Sequence, residues 1–281
     1  MVELQQLVQE ANQRIILENP DNYIKEEDAM REDLVGIQMY EPAIFAVADA
    51  NDPLFDGLKA EEVVHPEHLS PGEWLPGAKS VISFFLPFTQ RVKEANGADM
   101  DHFVDEWLHA RMDGEMVLIG YRNYIRDRLV EMGYPSTAPV SEKRFGMAAP
   151  RISNWSERHV GHIAGLGTFS MSKGLITQKG VAGRLCSVVT TAALPYTARA
   201  YTGLTDYCNE CGLCAKNCPA DAILPDLGVM EAKRHDICSP FLDSAKDLPL
   251  RGKTQKYRYG CGKCQVRTPC QDGIAPKRKT I

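Results

Sequence analysis

The stretch from Tyr207 to Ile223 reads YCNECGLCAKNCPADAI, which sets four cysteines within eleven residues and a proline directly after the last. Cys208, Cys211, Cys214 and Cys218 stand as C-x2-C-x2-C-x3-C-P, the ferredoxin run that wraps a 4Fe-4S cubane. Two residues between successive thiolates let a tight loop cover three corners of one cubane. The fourth cysteine starts a new turn ahead of Pro219 and points away, towards a second cluster.

A second cubane requires further thiolates, and the sequence supplies four: Cys238, Cys261, Cys264 and Cys270. The favoured assignment gives one cluster Cys208, Cys211, Cys214 and Cys270, and the other Cys218, Cys238, Cys261 and Cys264. The second half reads CGKCQVRTPC and does not repeat the first run, so spacing leaves open which of Cys238 and Cys270 serves which cluster. Zinc is the rival metal, but it is bound by paired C-x2-C units, and three cysteines at x2 spacing followed by x3-C-P do not divide that way. Cys186, alone among Leu185, Val188 and Val189, reads as a buried free thiol.

Nine cysteines point to metal ligation where thiols stay reduced. The first residues, MVELQQLVQEANQRI, put Leu4, Leu7, Val8, Ala11 and Ile15 at helical spacing and hold no secretory apolar core, so a cytoplasmic location is expected. No run of about 18 apolar residues occurs, and no membrane span is expected. The hydrophobic share of 44% and charged share of 25% suit a globular chain.

The net charge of minus 5 conceals an asymmetry. Arg251, Lys253, Lys256, Arg258, Lys263, Arg267, Lys277, Arg278 and Lys279 face one acid, Asp272, so this tail carries plus 8 and the remainder minus 13. One origin is compensation of the negative charge on thiolate-held clusters. The other is a docking face for an acidic electron donor or a nucleic acid.

Ahead of the cysteines, PAIFAVADANDPLF and GAKSVISFFLPF are short apolar runs bounded by turn residues, expected as strands of one central sheet. Met112, Met116, Val117, Tyr124, Ile125 and Leu129 share one helical face, with Gly133 placed to end the helix. RISNWSERHVGHIAGLG reads as a helix stopped by Gly165 and Gly167, and RLCSVVTTAALP as a strand closed by Pro195. Periodicity lapses in YTARAYTGLTD. The expected organisation is an α/β or α+β domain over residues 1–200 and a small ferredoxin-like, two-cluster domain over 201–281.

PGAKSVISFFLPF, STAPVSEKR, ERHVGHIAGLGTFSMSKGLIT, VVTTAALP, CNECGLCAKNCPADAI, HDICSPFL and YGCGKCQ fall in the order found in epoxyqueuosine reductases and in the related catalytic subunits of reductive dehalogenases. The chain resembles that superfamily over roughly residues 75–270. The resemblance implies a nitroreductase-like domain that binds a corrinoid (cobalamin), fused to a two-cubane domain that reduces its cobalt. It places the corrinoid beside Gly165, Leu166, Gly167, Thr168, Phe169 and Ser170, where small residues would let backbone approach a flat ring. GLGTFS also lacks the third glycine of the dinucleotide fingerprint and follows a helical pattern, which speaks against NAD.

Departures from the family pattern matter as much. Ser136, in PSTAPV, stands where epoxyqueuosine reductases carry a proton-donating aspartate, and a serine of ordinary acidity does not replace a carboxylic acid. Tyr134, or the inserted segment with Arg151, Ser153, His159 and His162, would then supply the proton. Against each stands the reading as a surface or structurally satisfied residue.

The expected function is therefore an iron-sulfur oxidoreductase. It would take electrons from a low-potential donor such as ferredoxin or flavodoxin and pass them to cobalamin, to reduce a small organic substrate or to reactivate a corrinoid protein. The alternatives are a ferredoxin-like module without corrinoid that docks on a partner enzyme, a flavin reductase, and epoxyqueuosine reductase proper acting on tRNA. No twin-arginine signal is visible, so respiratory dehalogenation is not expected. The acidic remainder and the early end of the chain weigh against nucleic acid, and the plus 8 tail is the feature that would serve it.

Overall fold

The computed structural model describes residues 2–149 and 151–277. In chain order the helices and strands are α1 (Leu4–Ala11), β1 (Ile44–Asp49), α2 (Leu54–Gly57), α3 (Pro71–Trp74), β2 (Ser80–Pro87), α4 (Gln90–Ala98), α5 (Asp105–Met112) and α6 (Glu115–Glu131). There follow β3 (Ser136–Thr137), β4 (Met147–Ala149), β5 (Ile152–Ser153), α7 (Glu157–Ala164), β6 (Gly167–Phe169), β7 (Leu175–Thr177) and β8 (Gly183–Thr190). Among the described residues beyond β8 come α8 (Leu213–Lys216), α9 (His235–Asp243) and short helical turns.

The two expected strands are β1 and β2, neighbours in a four-stranded sheet of order β1-β2-β8-β3. Every pairing in it is antiparallel, so of the two expected classes the arrangement is α+β. All eight residues of β2 are buried, which explains why the strand reads as one apolar run without alternation. Pleating sends Ile82, Phe84, Leu86, Cys186 and Val188 into the core shared with α1 and α6. Val81, Phe85 and Val189 point the other way, into the core under α7. The sheet is thus the middle of three layers.

Element ends differ from the sequence reading for identifiable reasons. The long helix begins at Glu115, because Gly114 packs so tightly that an added Cβ would sit 2.3 Å from the Ala110 carbonyl and 2.6 Å from the Tyr40 ring. Met112 closes the preceding helix and Met116 is exposed, so neither belongs to the buried face. Gly133 does end the helix, at a φ of 88°. After α1 the chain passes through a π-helical turn, Asn12–Leu17, which rotates the apolar stripe so that Ile16 is fully buried and Ile15 only partly.

Gly165 caps α7 in the left-handed conformation, as expected. Gly167 is no helix stop, since it opens β6. Arg151 to Trp155 are not helical, and Ile152–Ser153 form a strand. The C-terminal third folds back over the first part of the chain: Val266 is fully buried in the core that holds Phe88 and Trp107. Among the described residues no helix is long and apolar enough to cross a membrane.

Candidate metal centre

The cysteine run is shaped by two left-handed residues, Glu210 at φ 54° and Gly212 at φ 73°, which turn the loop before α8 carries Cys214 inward. Cys208, Cys211, Cys214 and Cys270 line one pocket together with Ser170, Met171, Ser172 and Thr268. Cys270 is delivered by the returning segment, whose carbonyl at Cys270 accepts from the Val181 amide at 2.9 Å. No other cysteine lines this pocket.

Of the other five cysteines, Cys186 lies on β8 and Cys218, Cys238, Cys261 and Cys264 form a second, adjacent group. Cys264 is half-buried and feels the charges of Cys218 and Cys238, while Cys261 feels Cys264 and Cys218. Burial first, and this mutual repulsion second, push the Cys261 thiol up to about 12. Cys214 is likewise pushed up to about 12 by burial, then by Cys264 and by its own neighbours Cys270, Cys208 and Cys211, so it stands between the groups.

Crowded, buried thiols of this kind ionise when a metal neutralises them. Among the described residues no three His, Cys, Asp or Glu side chains converge on a single-ion position. Two sets of four soft thiolates around a volume fit 4Fe-4S clusters, whose corners need ligands spread apart. Hydrogen bonds to sulfur are already in place: the Ala222 amide donates to Cys218 Sγ at 3.3 Å, and the Thr268 hydroxyl lies 3.4 Å from Cys270 Sγ.

The residues expected to handle protons are divided by the sheet. Ser136 pairs with Thr190 at the β3 edge, and its hydroxyl donates to the Tyr134 carbonyl at 2.9 Å and lies 2.8 Å from the Thr190 hydroxyl, which can donate to it. Tyr134 packs against the α1/α6 core. His159 and His162 lie on α7, on the opposite face, and both rings rest against Phe169.

His162 is buried and its Nδ1 donates to the Gly167 carbonyl at 2.9 Å, while the ring stacks on Tyr201 at 4.9 Å. It clamps the turn after α7. His159 bonds Ser156 Oγ through Nδ1 at 2.7 Å, and burial, reinforced by Arg158, holds its pKa down to about 3. At physiological pH the imidazole is therefore neutral and has no acidic proton to give. Arg151 pairs with Asp243 and Ser239, and Ser153 donates to the Trp155 carbonyl, so both act in structure.

The segment expected beside the corrinoid makes close contacts within the chain. Thr168 Oγ1 accepts the Tyr207 amide at 2.8 Å, the Phe169 amide donates to Leu204 O at 2.7 Å, and Leu166 is buried in the core. Gly165 lies against Thr197, where an added Cβ would come to 3.2 Å. At Gly167 a Cβ would fall 1.9 Å from the Ile176 carbonyl, so glycine is required there by the β7 backbone and not by a ring. Ser170 turns to the first cysteine pocket. Thr168, Phe169 and Ser170 dock the segment that leads into the cysteine run, while Gly165, Leu166 and Gly167 pack against Thr197, the core and β7.

Among the described residues, much of the basic tail is paired within the chain. Arg251 binds the buried Asp105, Lys256 pairs with Asp28 at 2.6 Å, Arg258 donates to Asp113 at 2.8 Å and to the Asp28 carbonyl at 2.9 Å, and Lys253 pairs with Glu26 at 2.6 Å. Lys263 is buried, and Arg267 leans on Gly97. Arg278 and Lys279 lie outside the described residues. Arg251, Lys253, Lys256 and Arg258 thus bind acids of residues 26–113, which accounts for part of the charge asymmetry.

Sequence reasoning passed over Glu157. Both of its carboxylate oxygens are sealed from solvent with no hydrogen-bond partner, and burial raises its pKa to about 7. Its only mark in the sequence is a place in the first turn of α7.

A model of the 4Fe-4S binding domain family matches residues 204–224. The chain is 26% identical to an epoxyqueuosine reductase of Bacillus cereus over 221 residues, which is 76% of this chain and 54% of the relative. It is 26% identical to an epoxyqueuosine reductase of Bacillus subtilis (strain 168) over 244 residues, 82% of this chain and 59% of the relative. The chain thus spans a little over half the length of these relatives. A crystal structure of epoxyqueuosine reductase with an epoxyqueuosine-modified tRNA-Tyr stem loop superposes with a TM-score of 0.54 at 17% identity, over 97% of this chain and 66% of that chain. Cysteine run, sequence and fold together support a place for the chain in the superfamily of the epoxyqueuosine reductases.

Proposed function

We propose that the chain is an iron-sulfur oxidoreductase that carries single low-potential electrons through two 4Fe-4S clusters. One is held by Cys208, Cys211, Cys214 and Cys270, the other by Cys218, Cys238, Cys261 and Cys264. The supporting observation is the sorting of these cysteines into two adjacent groups with Cys214 between them. Clusters ligated this way supply one-electron transfer at potentials set by charge, hydrogen bonds to sulfur and exposure.

In this reading residues 201–281 form a ferredoxin-like unit and residues 1–200 a nitroreductase-like acceptor unit. The first cysteine group opens beside Asn209, Glu210 and Gly212, where a donor such as ferredoxin or flavodoxin would dock. The second lies against α4 and α5, with Arg158 of α7 within electrostatic reach of Cys264. The family resemblance makes cobalamin the acceptor to test first, on a surface other than residues 165–170.

The names of the relatives favour a second reading, epoxyqueuosine reductase proper acting on tRNA. Ser136 in place of a carboxylic acid and a basic tail engaged in internal pairs stand against it.

Protein purified without oxygen and reduced with dithionite should give the interacting EPR spectrum of two neighbouring reduced cubanes. After excess reductant is removed, hydroxocobalamin should discharge that signal and stay with the protein on gel filtration. Absence of any cubane signal overturns the reading. A signal that cobalamin leaves intact restricts it to electron delivery to a partner protein.

A further inference from the structure

Lys263 is 1% exposed and sits between Cys261 and Cys264. Its Nζ donates to the Asn96 carbonyl at 3.1 Å, to Asn96 Oδ1 at 2.8 Å and to the Asp99 carbonyl at 2.6 Å. Three oxygen acceptors need three hydrogens, which an ammonium has and a neutral amine lacks. None of the three is a carboxylate. The Asp99 carboxylate turns instead to His102. The positive charge is therefore buried, fixed at the C-terminal end of α4 where the helix dipole favours a cation, and within electrostatic reach of Cys261 as well as of the Asp99 and Asp101 carboxylates.

The same loop is held from both sides. Asn96 Nδ2 donates to the Cys261 carbonyl at 3.1 Å, and Gly262, at φ 66°, lies so close to Trp107 that an added Cβ would come to 2.0 Å of its ring. Lys233, hydrogen-bonded to Cys238, is a second cation at this group, whereas no lysine or arginine lines the first cysteine pocket.

We propose that Lys263 is a positioning residue that seats the second cysteine group on α4 and raises its reduction potential above that of the first, so that electrons entering at the first group run on to the second. A reduced cubane carries one more negative charge than an oxidised one, and a nearby cation out of solvent favours the reduced form. The inference rests on the cluster reading above.

The test is an EPR-monitored redox titration of the full chain, anaerobically prepared. Wild type must first show two cubane signals; if it does not, the cluster reading fails and Lys263 is not at issue. Lys263→Gln, with iron retained, should make one midpoint more negative, the one that disappears in Cys261→Ala, and leave the other in place. Lys263→Arg should restore it. If Lys263→Gln sheds iron, Asn96→Asp sets a carboxylate beside the same ammonium and should lower the same midpoint. Unchanged midpoints in the iron-loaded variant overturn the proposal.

Discussion

The sheet of residues 44–190 and the cysteine-bearing third beyond it are held by different forces. Around the sheet, two apolar clusters bury Phe84, Phe85, Tyr121, Trp155 and their neighbours on both faces. Each such side chain contributes about 2–3 kcal/mol by leaving water. Among the described residues the C-terminal third has only a small cluster, Cys214, Cys218, Ala222, Ile223 and Ala232, packed on Met171 of the preceding region, and α9 buries no residue at all. What fastens it is a seam of ion pairs and hydrogen bonds to residues 26–113, with the thiols gathered inside. A region without a large apolar core relies on ligands and polar contacts that a sheet can do without.

That contrast orders the expected effects. Cys211→Ala should release about half of the iron and open the C-terminal third to protease while the sheet stays folded. Cys186→Ala should keep all of the iron, because its thiol is sealed in the α6 core with its pKa pushed up by burial. Iron assay and limited proteolysis read both, and equal iron loss in the two would erase the distinction between the regions.

Asp105→Asn comes next, since the carboxylate is 4% exposed and takes both Arg31 and Arg251. Chemical denaturation should show a loss of about 3 kcal/mol, at the low end for a broken buried pair because both arginines reach solvent. Glu157→Gln tests the sheet side. Its carboxyl titrates near 7 when folded against 4.5 as a free group, so folding favours the protonated form. Its stabilising contribution is present below about pH 4.5 and is lost as pH rises through about 7. At pH 8 the glutamine variant should be more stable by about 2 kcal/mol, and the gain should vanish on acidification. Lys253→Ala is the weakest perturbation. Both partners of its pair with Glu26 are exposed, and the thermal midpoint should not move.

The two regions also differ in how far the sequence exposes them. β1, β2 and β8 are legible because strands buried on both faces leave uninterrupted apolar runs, and Gly165 because only glycine takes that turn readily. The cysteines are legible because ligand spacing is local chemistry. The seam is not: Arg251 finds Asp105 and Arg258 finds Asp113 across about half the chain, and no local pattern marks such partners. His159 and His162 resemble proton donors by type, whereas their burial, Ser156 and the Gly167 carbonyl decide what they do. The small residues of 165–170 suggest room for a flat ring, and that room is filled by β7 and by the loop around Leu204 to Tyr207.

The central claim is that the thiols of the C-terminal third cage two cubanes side by side. Iron and acid-labile sulfide assayed on the same anaerobic sample test it most directly, and the account predicts about eight of each per chain. Zinc in place of iron, or about four irons with no further uptake on reconstitution, would contradict it.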